Sequence, residues 1–274
     1  MHALITGASR GLGRAIAREF WGHGAALALV ARKERELEEL AEELHPGTIE
    51  VLPADLSDPE GPAGIVERLR RKWDHLDVLV NNAAIAGPIG PLWENHWREW
   101  QETLQVNLMA PAALCRLCIP WMGRGGAIIN ISGGGATSPR PNFSAYGTAK
   151  AALVRFTETL ALEAAGRGIR VNAISPGILN TRMVDAVLRA GPEKAGADYA
   201  KVLEVKRQGG EPPEKAAALA WYLASPAGES ITGRLISAIW DPWTTLGARA
   251  AELRDSDIYT LRRIVPEDRG KHWA

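Results

Sequence analysis

The chain has 274 residues, which is long enough for one large α/β domain with a substantial core. Its 32 basic and 32 acidic side chains give a formal net charge of zero, so no overall field favours a nucleic acid or an anionic membrane surface. We therefore expect a small soluble substrate, and neither a nucleic acid nor a membrane as partner.

The thiols and histidines argue against two further classes of protein. Cys115 and Cys118 are the only cysteines, too few for a disulfide framework or a four-ligand zinc site. They lie on adjacent turns of one apolar helical segment, which favours core or interface packing over redox chemistry. His96 has no second and third ligand at a suitable spacing, so we predict no metal. Because the sequence opens on an apolar strand without a basic leader, we expect a cytoplasmic protein.

Short apolar runs rich in β-forming residues alternate with longer helical patterns along the chain. The strand candidates are HALIT, ALALVA, TIEVLP, LDVLVNN, GAIINIS, IRVNAIS and RLISAI. Such alternation is typical of parallel strands joined by crossover helices. We therefore predict a single Rossmann-type α/β domain over residues 1–240, a doubly wound parallel sheet of about seven strands with helices on both faces.

The first strand runs directly into a glycine-punctuated turn, TGASRGLG, and then into an amphipathic helix. Glycines let a backbone approach a pyrophosphate closely, and the helix that follows offers its positive end. This context predicts a dinucleotide site rather than a plain structural turn. The loop residues assigned to the cofactor are Gly7, Ser9, Arg10, Gly11, Leu12 and Gly13.

The end of the second strand, Val30 to Lys33, bears on the choice of cofactor. An acidic residue there would accept from a ribose 2′-hydroxyl, but none is present. Arg32 can pair with a 2′-phosphate, and Arg10 can reach the same group. NADP(H) is therefore favoured and NAD(H) remains possible; the alternative is that both arginines are solvated surface cations. The next segment, 33–44, has the pattern of a surface helix.

Three tryptophans, Trp93, Trp97 and Trp100, precede or open a long helix predicted over about 95–121. At i, i+4 and i+7 they would share one helical stripe, which favours core or subunit packing. The alternative is a wall that stacks on a sugar or an aromatic substrate.

A second long helix is predicted over about 143–165, and it carries Tyr146 and Lys150 at i and i+4. Their side chains would therefore face the same way. The polar, glycine-punctuated segment 178–210 is typical of a lid or substrate loop. Residues 241–274 have no clear period and receive no fold, although we expect part of this tail to fold over a neighbouring subunit. The tail residues expected there are Trp240, Trp243, Tyr259, Arg262 and Arg263.

Several motifs, in order, together resemble the classical short-chain dehydrogenase/reductase family over about residues 3–240. TGASRGLG resembles the family's TGxxxGxG, and Tyr146 to Lys150 matches YxxxK. The remaining matches are Asp55-Leu56, Asn81-Asn82-Ala83-Ala84 as a variant of NNAG, Asn107, and Ser175-Pro176-Gly177 with Thr181.

The resemblance implies a role for each matching residue. Tyr146 would exchange a proton with the substrate, Lys150 would support its charge and bind the nicotinamide ribose, and Asn107 would hold a relay water. The remaining residues implied to bind the cofactor are Asp55, Leu56, Asn82, Ala83, Ala84, Pro176, Gly177, Ile178 and Thr181. The family also implies a homodimer or homotetramer built on the two long helices.

The sequence departs from the family at the serine that usually lies 13 residues before the tyrosine. That position is Gly133, and Ser132 is its neighbour. Ser132 would serve as the catalytic hydroxyl if the glycine run bulges and turns it inward. Otherwise a glycine N–H, Thr137 or Ser138 could donate to the substrate oxygen.

We therefore expect an NADP(H)-dependent oxidoreductase that interconverts a carbonyl and a secondary alcohol, with Tyr146 as acid or base. Two alternatives stay open. Gly133 is compatible with a cofactor-binding protein of little turnover, and, with less support, the chain could be a sugar-nucleotide-modifying member of the family.

Overall fold

The computed structural model describes residues 1–273 and contains one seven-stranded sheet in which every pairing is parallel. Its strands are β1 His2–Thr6, β2 Ala26–Ala31, β3 Ile49–Pro53, β4 Leu76–Asn81, β5 Met122–Ile131, β6 Arg170–Ser175 and β7 Leu235–Ser237. They lie in the order β3-β2-β1-β4-β5-β6-β7. The predicted Rossmann-type sheet is therefore confirmed.

Helices connect the strands and cover both faces of the sheet. They are α1 Gly11–Gly22, α2 Glu34–Glu43, α3 Gly61–Arg70, α4 Trp97–Leu104, α5 Ala110–Cys118, α6 Ser144–Ala164, α7 Arg182–Ala195, α8 Ala197–Gln208, α9 Pro213–Ala224 and α10 Ala250–Arg254. A π-helical turn, Gln105–Met109, joins α4 to α5 and makes one long helical segment.

Two cores result from the alternation of side chains along each strand. In β1, Ile5 packs with α1, α2 and α9, whereas Leu4 packs on the opposite face with α3, α5 and the end of α6. Cys115 and Cys118 are free and fully buried in the second core. Burial raises the pKa of both thiols, that of Cys118 to about 12, so packing is confirmed as their role.

The order of the strands reverses between β1 and β4. Crossovers leave in opposite directions there, and a crevice forms beyond the carboxyl ends of the two strands. The loops after β1, β4, β5 and β6 all converge on this crevice.

The tryptophan stripe predicted after β4 is wrong in its geometry. Trp93 lies on a separate 3₁₀ turn, Leu92–Glu94, and α4 begins only at Trp97. Trp93 is 85% exposed and Trp97 60% exposed, so neither packs in the core. Trp97 stacks on Trp100, and none of the three lines the crevice, which removes the support for a substrate wall.

The tail from residue 241 packs on its own chain. Leu246 and Leu253 are buried in the first core, and Trp243 and Tyr259 pack against that core. Trp240, Arg262 and Arg263 are exposed, and the contact of the tail with a neighbouring subunit stays a prediction. The N–H of Leu235 in β7 donates to the carbonyl of Tyr259 at 2.8 Å. The tail therefore covers the otherwise open edge of the last strand.

Candidate active site

The crevice is a cavity of about 1170 Å³, large enough for a dinucleotide and a small substrate together. Every residue that we predicted for the cofactor lines it, as do Tyr146, Lys150 and Ser132. Asn107, the remaining predicted site residue, is fully buried and does not line the cavity. Loops from distant parts of the sequence thus form one site, as their common position at the carboxyl ends of the strands requires.

Gly7 and Gly13 shape the floor of the cavity between β1 and α1. A Cβ on Gly13 would overlap the carbonyl oxygen of Gly7 and lie 2.7 Å from its carbon. Gly7 has φ +66°, and a Cβ there would lie 2.9 Å from the Cα of Ala83. Only glycine fits these positions, and the loop they form lines the cavity at the start of α1, where a phosphate cradle is expected.

Hydrogen bonds fix the loop after β4 to this cradle. The hydroxyl of Thr6 accepts from the N–H groups of Asn82 and Ala83, each at 3.0 Å. The side chain of Asn82 donates to the carbonyl oxygens of Thr6 at 2.9 Å and Gly7 at 3.2 Å. The NNAA motif therefore acts first as a scaffold that holds two strand ends in register.

A carboxylate that the sequence reasoning missed lies at the outer end of the cavity. Glu36, in the first turn of α2, accepts from the Ser9 hydroxyl at 2.9 Å. It also lies 3.2 Å from Lys33, 3.6 Å from Arg182 and 3.7 Å from Arg10. The sequence does not single out Glu36 as a site residue, because it is one of several glutamates in a pattern typical of a surface helix. Burial opposes ionisation, but the bonds from Ser9 and Lys33 together lower the Glu36 pKa.

Arg32 lines the same end of the cavity and is exposed. Within residues 1–273 it forms no ion pair, whereas the neighbouring cations share the single carboxylate of Glu36. This end of the cavity therefore carries a clear excess of positive charge.

Tyr146 and Lys150 lie on one face of α6, one turn apart, and both reach the cavity. Burial raises the pKa of the Tyr146 phenol to about 12, and the charge of Arg140 offsets only part of this effect. Burial lowers the pKa of Lys150 to about 8. The Lys150 ammonium donates to the carbonyl of Ile131, at the end of β5, at 2.7 Å.

Gly133 is in direct contact with the end of the Tyr146 side chain. A Cβ at this position would overlap the phenolic oxygen and lie 3.2 Å from the ring carbon that bears it. The phenol therefore occupies space that a serine side chain would need. Glycine at position 133 and the position of Tyr146 therefore depend on each other, because a serine at 133 would overlap the phenol in this arrangement.

Ser132, the neighbour of Gly133, also lines the cavity. Its N–H donates to the carbonyl of Ile174 at 2.8 Å, so the backbone continues the β5 ladder without a bulge. Its hydroxyl is fully buried and has no hydrogen-bond partner within the described chain. Its catalytic role stays a prediction. Of the other candidates, Ser138 lines the cavity and Thr137 does not.

Asn107 lies in the π-helical turn and is fully buried. Its amide accepts from the N–H of Ile85 and donates to the carbonyl of Ile85, both at 2.9 Å. It therefore clamps the loop that follows the NNAA motif. The relay water stays a prediction.

The loop after β6 closes the side opposite the glycines. Gly177 has φ +85°, and a Cβ there would lie 2.8 Å from Ile239. Thr181 caps α7 by accepting from the N–H of Met183 at 3.4 Å. The segment 178–210, predicted as a lid, contains α7 and α8, and it lines the cavity with the start of α7 and with the start and later turns of α8.

A second charged group that sequence reasoning missed joins this lid to the loop after β5. The Nε of Arg140 donates to Asp198 of α8 at 2.5 Å. The two residues are 58 positions apart, so no sequence spacing could have revealed the pair.

Away from the cavity, residues 1–273 contain one cluster with the donors of a metal site. His2, His75 and Asp77 lie together at the amino ends of β1 and β4. The sequence predicts no metal, and this cluster is at the opposite end of the sheet from the cavity. Within residues 1–273, no helix combines the length and apolarity needed to cross a membrane.

Comparisons with known proteins agree with this geometry. The family model described as enoyl-(acyl carrier protein) reductase matches residues 7–238. The 3-oxoacyl-[acyl-carrier-protein] reductase FabG of Thermotoga maritima is 32% identical over 237 residues, which cover 85% of this chain and 94% of that protein.

Solved structures share the fold along most of the chain. L-Sorbose reductase from Gluconobacter frateurii, crystallised with NADPH and L-sorbose, has a TM-score of 0.76 at 32% identity and covers 86% of this chain and 94% of its own. A 3-ketoacyl-(acyl-carrier-protein) reductase from Brucella melitensis, crystallised with NADH, has a TM-score of 0.75 at 28% identity and covers 86% and 95%.

Proposed function

We propose that this chain, which belongs to the short-chain dehydrogenase/reductase family and is an NAD(P)-dependent oxidoreductase, reduces a carbonyl to a secondary alcohol. In this proposal NADP(H) is the cofactor and Tyr146 is the proton donor. One observation carries this proposal. Tyr146 and Lys150 line the same cavity as the glycine cradle, so a dinucleotide held there would extend towards the phenol.

Bound nicotinamide would supply the hydride. The protein would supply the proton, and a phenol whose pKa is raised to about 12 is protonated near neutral pH. Tyr146 is therefore ready to donate a proton to the oxygen of a carbonyl as negative charge develops on it. Oxidation of an alcohol would use the same residue after loss of that proton, so the protonated state of Tyr146 supports reduction as the reaction to assay first near neutral pH.

Lys150 would be cationic in the site near neutral pH. Its pKa of about 8 is lowered by burial, but it still lies above 7. In the family resemblance it binds the nicotinamide ribose. Its present bond to Ile131 places the ammonium at the end of β5, beside the loop that carries Gly133.

The substrate oxygen would still need a donor besides Tyr146. Gly133, Gly134 and Gly135 line the cavity, and within residues 1–273 none of their N–H groups donates a hydrogen bond. We propose that one or more of these backbone groups takes the part that a serine hydroxyl would otherwise play.

The preference for NADP(H) rests on charge at the outer end of the cavity. Arg10, Arg32, Lys33 and Arg182 surround one carboxylate, Glu36. A 2′-phosphate would find a cation without an ion pair in Arg32, and more positive charge than Glu36 can neutralise. Measured dissociation constants that favour NADH tenfold would overturn this preference.

We also propose a homodimer or homotetramer, in which the helical segment α4–α5 and helix α6 form the contacts. The support is apolar exposure: Trp97 on α4 and Leu162 on α6 are 60% and 81% exposed. Light scattering of the full chain and of Trp97→Glu tests this, since a monomer in both would contradict it.

A cytoplasmic location, supported by two free thiols, is open to cell fractionation.

The main test is NADPH oxidation over a broad panel of carbonyl compounds, with Tyr146→Phe as the matched variant. We expect turnover in the parent and a loss of about 100-fold or more in the variant, as for removal of a general acid. If both proteins are inert while NADPH binds tightly, the alternative of a cofactor-binding protein with little turnover is favoured. Epimerised product without net NADPH change would indicate a sugar-nucleotide-modifying enzyme.

A further inference from the structure

Arg140 stands in the cavity wall next to the reacting phenol. Its guanidinium lies 3.8 Å from the centre of the Phe143 ring and 5.6 Å from that of Tyr146. A Cβ on Gly134 would lie 3.8 Å from its Nη1 atom. The cation therefore occupies the part of the cavity bounded by the glycine loop, Tyr146 and the lid, where a substrate of Tyr146 must bind.

Only one nitrogen of the Arg140 guanidinium forms a hydrogen bond within residues 1–273. Its Nε donates to Asp198 at 2.5 Å, and both side chains are about four-fifths buried. Within residues 1–273 the terminal nitrogens of Arg140 donate no hydrogen bond, although a guanidinium offers five donors in a planar fork. These terminal nitrogens are not among the fully buried unpaired atoms of the described chain, and Arg140 lines the cavity, so they are open to a ligand that accepts from them.

The charges around this fork leave a positive excess. Asp198 also accepts from Lys201 at 3.3 Å, so one carboxylate faces two cations. Burial opposes ionisation of Asp198, yet the bonds and charges of Arg140 and Lys201 lower its pKa. All three residues line the cavity, and the cluster therefore carries one formal positive charge towards the substrate space.

We propose that Arg140, oriented by Asp198 and assisted by the charge of Lys201, binds a carboxylate on the carbonyl substrate. A carboxylate matches the planar fork by accepting two parallel hydrogen bonds. Because the fork lies so close to the Tyr146 ring, the carboxylate and the reacting carbonyl must be separated by only a few bonds. The substrate class is thus a short oxo acid, in which a free carboxylate is preferred to an ester or thioester.

This inference rests on the proposed function, and its test separates the two. The full chain with NADPH is assayed on 2-, 3- and 4-oxo acids and on their methyl esters. We expect at least one acid to exceed its ester in kcat/KM by about 30-fold or more, as expected when a buried charged partner is left unpaired. In Arg140→Gln this ratio should fall close to one through a rise in KM for the acid.

Lys194→Gln is the matched control. Lys194 is an exposed lysine of α7 that does not line the cavity, and removing its charge should leave the ratio at the wild-type value. Parent enzyme that turns over esters as well as acids would overturn the inference while leaving the proposed function intact. So would equal losses for acid and ester in Arg140→Gln, which would indicate a merely structural lid contact.

A binding measurement covers the case in which no carbonyl is reduced. Calorimetry of the NADPH-bound protein with a non-reacting short carboxylate should show binding that Arg140→Gln weakens about 30-fold and Lys194→Gln does not. Inorganic phosphate serves as a second titrant. Tighter binding of phosphate than of the carboxylate would overturn the assignment of the class, and no binding of either by the parent would overturn the site.

Discussion

Replacing Lys150 by Met separates the catalytic value of this residue from its effect on stability. The ammonium is fully buried, and burial lowers its pKa from 10.5 to about 8. At about 1.36 kcal/mol per tenfold change in the protonation equilibrium, holding it charged near pH 7 costs roughly 3 kcal/mol. Met has a similar length and no charge, so it removes this cost.

One loss opposes the gain. The variant gives up the hydrogen bond from Lys150 to the carbonyl of Ile131. An unpaired buried carbonyl costs about 1–3 kcal/mol. We therefore expect the free energy of unfolding of Lys150→Met near pH 7 to equal that of the parent or to exceed it by up to about 2 kcal/mol, while activity falls by about 100-fold or more.

The dependence on pH gives the sharper measurement. Because the folded-state pKa of Lys150 is lowered, the unfolded chain binds more protons than the folded chain between about pH 8 and pH 10.5. The parent should therefore gain stability relative to Lys150→Met as pH rises through this window, by roughly 2 kcal/mol between pH 7 and pH 10.

Urea unfolding at both pH values, followed by tryptophan fluorescence, measures this difference. Lys194→Met, which removes an exposed lysine, serves as the control and should show no such pH-dependent gap. A parent and a Lys150→Met variant with parallel pH profiles would refute the reasoning, because Lys150 would then not be charged and desolvated in the folded protein.

Four further predictions follow from the cavity and the tail. Gly133→Ser and Gly133→Ala should both lower kcat severalfold or more, because any Cβ overlaps the Tyr146 oxygen; a gain with Ser alone would show that the phenol moves and the family serine works here. Gly13→Ala should abolish measurable NADPH binding in a fluorescence titration, since its Cβ would overlap the Gly7 carbonyl, and near-normal affinity would contradict the cradle. Glu36→Gln should tighten NADPH relative to NADH by about 5-fold or more, as loss of one nearby negative charge implies; weaker NADPH binding would mean that Glu36 orients the cations rather than competing for them. Leu253→Ala in the tail should lower the free energy of unfolding by about 2–4 kcal/mol in urea titrations, and a loss below about 1 kcal/mol would mean that the buried position of Leu253 contributes little.

The fold could be predicted from the sequence because local pattern and tertiary role coincide in it. The central strands β1, β2, β4 and β6 are buried on both faces, and each of the seven apolar runs coincides with an observed strand to within a few residues at its ends. The glycine turn and the spacing of Tyr146 and Lys150 are short-range features, and short-range features can be read from one stretch of chain. No fold could be predicted for the tail, because its buried leucines, Leu246 and Leu253, follow no sequence period. They are buried only because the tail contacts the core.

Much of the site depended on pairs that sequence spacing does not reveal. Arg140 meets Asp198 across 58 positions, and Glu36 meets Arg182 across the cavity. The sequence by itself determined which backbone segments reach the carboxyl edge of the sheet, because hydrophobic periodicity and glycine geometry act locally. The facing charges at this edge, and the position of the phenol beside Gly133, could be seen only in the tertiary structure. Desolvation and side-chain overlap depend on every chain segment that packs around a group.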